Sequence, residues 1–157
     1  MHLDIEDYIK SIRNQKFRSL IIYNTDYSTL EEFLIQSAAK MGCYHLDILN
    51  CFLHDPELIK SLDSFSVVKL KNLLIKLSKG YTVVFLTNLD FLFDTWGKKE
   101  KMDFATLIEK QWNSFYPENA ATLVFGLQTD TWLQELNILD TEGRPRVYKL
   151  NEFKAIR

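Results

Sequence analysis

Between an apolar run and a helical pattern the chain reads Asn24-Thr25-Asp26-Tyr27-Ser28-Thr29-Leu30-Glu31. A strand that feeds directly into a helix N-terminus aims free backbone N–H groups at one point, and such a point binds phosphate. Working phosphate-binding loops add glycines, which let the backbone approach, and a lysine on the phosphate oxygens. Neither is present. No glycine occurs between residues 1 and 41, Leu30 stands where the lysine would be, and Glu31 stands where a magnesium-holding hydroxyl would be. Ser28 and Glu31 have the S-x-x-E spacing of a capping box. Asp26, Glu31 and Glu32 bring negative charge to the positive end of the helix dipole. The expectation is an anion cradle that the chain fills itself. Ser28 is read as a cap rather than a nucleophile, because no G-x-S-x-G surrounds it.

Two further sets of residues are chemically suggestive. Cys43, His45, Cys51 and His54 include two zinc-ligand types, but C-x-H followed by C-x-x-H is not a usual knuckle spacing. Asp47, Asp90 and Asp130 stand near strand ends, where turn and capping roles serve them equally well. No metal and no cofactor is expected. The remaining candidates are contact residues. Lys69, Lys76 and Lys79 form one polar strip, and Trp96 with Lys98, Lys99 and Lys101 forms an exposed loop around Gly97. An exposed tryptophan beside lysines anchors a protein partner or stacks on a base.

The elements that must position these residues alternate in type. Leu20 to Tyr23, Thr82 to Leu86 and Ala121 to Leu127 are apolar on both faces, as buried parallel strands are. Tyr44 to Ile48 adds a strand, and Arg146 to Leu150, opened by Pro145 and carrying Lys149, reads as an edge strand. Leu30, Phe33, Leu34, Ser37, Ala38 and Met41 make one helical stripe that stops at Gly42. Val67, Leu70, Leu73, Leu74 and Leu77 make another, in a helix from Ser66 to Lys79 that Gly80 ends. Helices are also expected after Asp55-Pro56, over Phe104 to Phe115 with Pro117 closing it, and over Trp132 to Leu136. Residues 3 to 15 carry a short amphipathic helix, packed on the domain's edge or on a partner. Strand–helix alternation predicts an α/β three-layer sandwich with a mainly parallel five-stranded sheet.

The 157 residues, with 46% hydrophobic content and 11 phenylalanines, suit one domain with a sizeable core rather than disorder. Residues 1–17 would be its N-terminal helical segment. A net charge of −2 supplies no global pull on nucleic acid or anionic membrane. The polar N-terminus, the lack of a long apolar run and the two cysteines predict a cytoplasmic protein with free thiols and no membrane contact.

In order and spacing these segments resemble AAA+ and related P-loop ATPases. Leu20 to Gly42 resembles a Walker A unit, with Asn24, Tyr27, Thr29, Leu30 and Glu31 at its loop positions. Val83 to Phe93, VVFLTNLDFLF, resembles a Walker B strand with its short helix. Active members end that strand Asp-Glu-x-Asp, and this one ends Thr87-Asn88-Leu89-Asp90. On this match Thr87 replaces the magnesium-linked aspartate and Asn88 the water-activating glutamate, while Asp90 survives. Leu123 to Leu127 with Gln128 resembles a sensor-I strand. Arg144 and Arg146 are the only arginines between residue 18 and Arg157, and neither is placed as an arginine finger.

The phrase from Leu86 to Asp94, the length and the segment order resemble the small P-loop protein of bacteriophage-exclusion (BREX) operons. The chain ends where an AAA+ helical lid would begin. The resemblance covers residues 18 to 130. It implies a P-loop NTPase-like fold and a place in phage defence, and its substitutions imply a pseudo-ATPase kept for assembly in a multi-subunit complex. A nucleic-acid-binding adaptor using the lysine face, or a nucleotide-binding protein using Asp90, Gln128 and Lys98, are the alternatives.

Overall fold

The computed structural model describes residues 2–112, 120–128 and 131–156. Strands β1 (Ser19–Asn24), β2 (Tyr44–Asp47), β3 (Val83–Thr87), β4 (Thr122–Gln128) and β5 (Val147–Lys149) form one sheet in the order β2-β3-β4-β1-β5. Every pairing is parallel. The sequence expectation was a mainly parallel sheet of five. β5 lies at one edge, the position for which Pro145 and Lys149 suit it.

Parallel strands need helical crossovers, and helices cover both faces. On one face Leu20, Ile22, Phe85 and Val124 pack beneath α1 (Ile5–Ser11) and α2 (Tyr27–Met41). On the other, Ile21, Val84, Leu86, Leu123 and Phe125 pack beneath α3 (Ile48–Leu53), α5 (Val67–Ser78), α6 (Asp90–Thr95) and α7 (Lys98–Thr106). Alternate residues of each central strand supply the two cores, which explains runs apolar at every position. Short helices α4 (Pro56–Lys60, capped by Asp55) and α8 (Thr131–Gln134) complete the chain. Among the described residues no helix is long and apolar enough to cross a membrane.

Several boundaries differ from expectation for local reasons. The N-terminal helix is only Ile5–Ser11, because the chain turns over Ile12 to Gln15 to enter β1. α3 was not foreseen. Six residues are too few to show a stripe, and its cap is the last residue of β2: Asp47 Oδ1 accepts from Asn50 N–H at 2.9 Å. The helix expected from Phe104 begins instead at Lys98, so Lys98, Lys99 and Lys101 lie on its first turn rather than in a loop. It passes into a π-helical turn, Leu107–Gln111, that closes when Trp112 N–H bonds Leu107 O at 2.9 Å. The stop at Pro117 lies outside the described residues.

That π turn is held by Arg146, whose side chain is fully buried. Its guanidinium donates to the carbonyls of Ile108 (3.0 Å), Glu109 (2.8 Å), Leu139 (3.1 Å) and Ser19 (3.4 Å). Burial lowers its pKa. The carbonyls at this helix end would otherwise lack donors. Arg144 instead pairs with Asp140 at 2.8 Å. Both arginines are thus committed at the amino-terminal side of β5.

Candidate functional site

In an open parallel sheet the binding crevice lies beyond the carboxyl ends of the strands, where the strand order reverses. Here β1 connects towards β2 through α2, while β4 leads past β1 to β5. The reversal therefore falls between β1 and β4, and β3 adjoins β4 on the other side. The strands read as β1, β3 and β4 of a nucleotide site do lie side by side.

The first turn of α2 starts at Tyr27, one residue before Ser28, so the expected Ser28–Glu31 box does not form. Asp26 is the cap. Its carboxylate accepts from Thr29 N–H at 3.3 Å and from the Thr29 hydroxyl at 2.7 Å, and these bonds hold Asp26 below the ordinary carboxylate pKa. Asn24 Nδ2 donates to Asp26 O at 2.9 Å, pinning the loop back on itself. Leu30, in the first turn of α2, is fully buried in the core on that face.

Glu31 reaches across the strand ends rather than to its own helix. Its carboxylate accepts from the Asn88 side-chain amide at 2.6 Å, and the same amide donates to Asp47 Oδ2 at 2.9 Å. The backbone N–H of Asn88 donates to the Tyr27 hydroxyl at 2.5 Å. Asn88 takes φ 58, the left-handed conformation that asparagine tolerates better than branched residues. Its three donors therefore join the β1–α2 junction, the end of β2 and the end of β3. Burial raises the Tyr27 phenol well above its ordinary pKa. The Asn88 N–H opposes that rise, and Asp90, Glu31 and Asp47 add to it.

Neighbouring positions are tied as well. Thr87, fully buried, meets His45 Nε2 at 2.7 Å. Asp90 accepts from the backbone N–H of Gln128 at 3.0 Å, and Gln128 Nε2 donates to Thr25 O at 3.3 Å. A cavity of about 120 Å³ lies between α6, the end of β4 and α8, lined by Asp90, Phe93, Asp94, Leu127, Gln128, Trp132 and Leu133. Small-molecule sites usually begin at roughly 300 Å³.

The structure brings together Tyr27, Glu31, Asn88, Asp90 and Gln128 of the residues singled out from sequence. Asp47, which caps α3 through its other oxygen, is the further partner. No local pattern marks the Asn88–Asp47 contact, which joins residues 41 apart. Among the described residues no group of three His, Cys, Asp or Glu is placed to hold a metal. Asp130 lies outside them.

The exposed-tryptophan expectation is overturned. Trp96 is 6% exposed, and its indole N–H donates to Phe65 O at 2.6 Å. Its ring packs edge-on against Phe93 at 5.0 Å. Trp96 caps the end of α6 two residues before α7 begins, and its ring turns towards the aromatic cluster on that face. Lys99 pairs with Asp103 at 3.0 Å, while Lys69, Lys76 and Lys79 are exposed on and just after α5. Compared with known family models and with curated proteins, the chain matches none.

Proposed function

We propose that this chain is an AAA+-like, P-loop-like domain that turns over no nucleotide and serves as a scaffold or adaptor subunit in a larger protein assembly. Its context is bacterial anti-phage defence or a DNA transaction in the cytoplasm. The observation that carries the reading is the Asn88 strap. Where triphosphate would rest, the chain's own amide, phenol and carboxylates bond to one another.

Phosphoryl transfer relies on cations that stabilise the phosphate oxygens. At this strand end the lysine position is a core leucine, Asp26 occupies the helix N-terminus, and Glu31, Asp47 and Asp90 present negative charge. A triphosphate would meet repulsion from several carboxylates within Coulombic range. The adjacency of β1, β4 and β3 is the arrangement the P-loop resemblance requires, and the phrase from Leu86 to Asp94 supplies the phage-exclusion context.

Calorimetry with millimolar ATP, with and without magnesium, tests the first half, and no saturable heat is expected. Saturable, magnesium-dependent heat that disappears in Ser28→Glu overturns it, since Ser28 is exposed on the first turn of α2 and its substitution spares the core. Mass photometry with the products of neighbouring genes tests the second half. A stoichiometric complex that survives Ser28→Glu is expected, and a chain that stays alone in every mixture overturns the adaptor role.

A further inference from the structure

From residue 64 to residue 89 the chain holds four lysines and no aspartate or glutamate, although 21 acidic residues are spread over the 157. This stretch contains α5 and the turn into β3. Lys69, Asn72 and Lys76 fall at i, i+3 and i+7 on the solvent side of α5, opposite Leu70 and Leu74, and Lys79 follows the last turn. Lys71 faces elsewhere, into the groove that α5 shares with Lys99, Glu100 and Asp103 of α7.

A solvated lysine face is ordinary, and the helix dipole explains cations near the C-terminal end, at Lys76 and Lys79. It does not explain Lys69. That residue sits in the first turn, where the dipole disfavours positive charge and where α5 carries no acid of its own. The acid that caps this end comes from α7: Glu100 accepts from Val67 N–H at 3.1 Å. At Lys69 the helix thus keeps a cation against its own electrostatic preference. α7 does the opposite, interleaving its lysines with Glu100 and Asp103.

The strip ends on an aromatic platform. The Tyr81 N–H bonds Ser78 O at 3.1 Å, which sets Tyr81 directly beyond the end of α5. Its ring lies over Tyr44 with centroids 4.1 Å apart and planes 8° from parallel. Tyr81 is 45% exposed, while Tyr44, at the start of the edge strand β2, is half-buried beneath it. The span from Lys69 to Lys79 is about 15 Å at the helical rise. A cationic track that ends at an open ring stacked on a second ring suits a phosphate backbone followed by an unpaired base.

We propose that the outer face of α5 and the Tyr81–Tyr44 platform bind single-stranded nucleic acid without sequence preference. This surface does not depend on the nucleotide-free reading of the strand ends. It names what the assembly would handle.

Fluorescence anisotropy of the full chain with a short labelled oligothymidylate, across a salt series, tests it. Saturable binding at low salt is expected, with a log–log salt slope of about −2 for three lysine–phosphate contacts. Tyr81→Ala weakens binding about tenfold or more and leaves the slope unchanged. Tyr81→Phe restores the affinity. Lys76→Ala or Lys79→Ala makes the slope shallower by about 0.7 each. All four side chains are exposed, and circular dichroism confirms the fold of each variant. Three results overturn the proposal: no binding at low salt; binding indifferent to Tyr81→Ala and to Lys69→Glu with Lys76→Glu; or duplex bound as tightly as single strand. Capture of an acidic protein through these lysines, with no competition by oligothymidylate, also overturns it.

Discussion

Glu31 on α2 accepts a 2.6 Å hydrogen bond from the side-chain amide of Asn88, 57 residues later in the chain. The same NH₂ group serves Asp47, so one neutral amide separates two carboxylates that would otherwise face each other. A group with two donors and no negative charge suits the place between them. Asn88→Asp would replace both donors with a third carboxylate. It is expected to destabilise the fold by about 3 kcal/mol, since hydrogen bonds to charged groups contribute about 1.5–3 kcal/mol each. Asn88→Gly keeps the left-handed backbone and adds no charge, so it should destabilise less. Urea unfolding midpoints at a constant m-value separate the two, and equal losses would contradict this account.

The buried Arg146 guanidinium donates its hydrogen bonds to carbonyls, while the charges of Glu109 and Asp140 act on it from farther off. Arg146→Met would leave the carbonyls of Ile108, Glu109, Leu139 and Ser19 without that donor. A loss of about 3–5 kcal/mol is expected, because each buried carbonyl left without a donor costs about 1–3 kcal/mol. Arg146→Lys should recover little, because a single ammonium cannot reach a fork of four acceptors. Hydrogen exchange should show the Trp112 amide, which closes the π turn, losing protection before the amides of β3 do.

The strands, their parallel sense and the two long amphipathic helices were legible because burial on both faces writes itself as unbroken apolar runs. Gly42, at φ 67, ends α2 where a left-handed residue was expected. The polar crosslinks were not legible. Asn88 reads locally as a lost catalytic residue, and only the fold shows that it faces Glu31 and Asp47. Trp96 failed for a related reason. Its lysine-rich neighbours suggested a loop, but Lys98 to Thr106 is helical and Trp96, at the end of α6, packs inward. Ser28 lost the cap to Asp26, since a helix start two residues earlier breaks a three-residue spacing rule.

Two phenols should govern the alkaline limb of stability. Tyr8 and Tyr27 are both raised above the ordinary value of 10.0, chiefly by burial. The unfolded chain therefore loses these protons first. The stabilisation is complete below pH 10.0 and fades as pH rises towards the folded-state values, by about 1.4 kcal/mol per pH unit for each tyrosine. At neutral pH, Tyr27→Phe leaves the Asn88 N–H without its acceptor and should cost about 1 kcal/mol. Above pH 10 the variant should fall more gently than the natural chain, so the gap between them narrows. Paired urea titrations at neutral and alkaline pH measure this, and a gap that widens would refute the role given to Tyr27.

Gly126 sits in the middle of β4 at the closest approach between sheet and helix. A Cβ there would collide with Leu34 Cδ1 of α2 and lie 3.6 Å from Leu86 O. Leu34 is fully buried, and overpacking of this kind costs about 1–3 kcal/mol. Gly126→Ala is therefore expected to destabilise despite the better strand propensity of alanine. Leu34→Ala alone should cost about 2–5 kcal/mol through the cavity it leaves. The new methyl of Gly126→Ala would partly fill that cavity, so the double variant should be more stable than the two single losses predict. A double-mutant cycle by urea unfolding measures the coupling. Simple additivity would mean that Gly126 and Leu34 are not in contact across the sheet–helix interface.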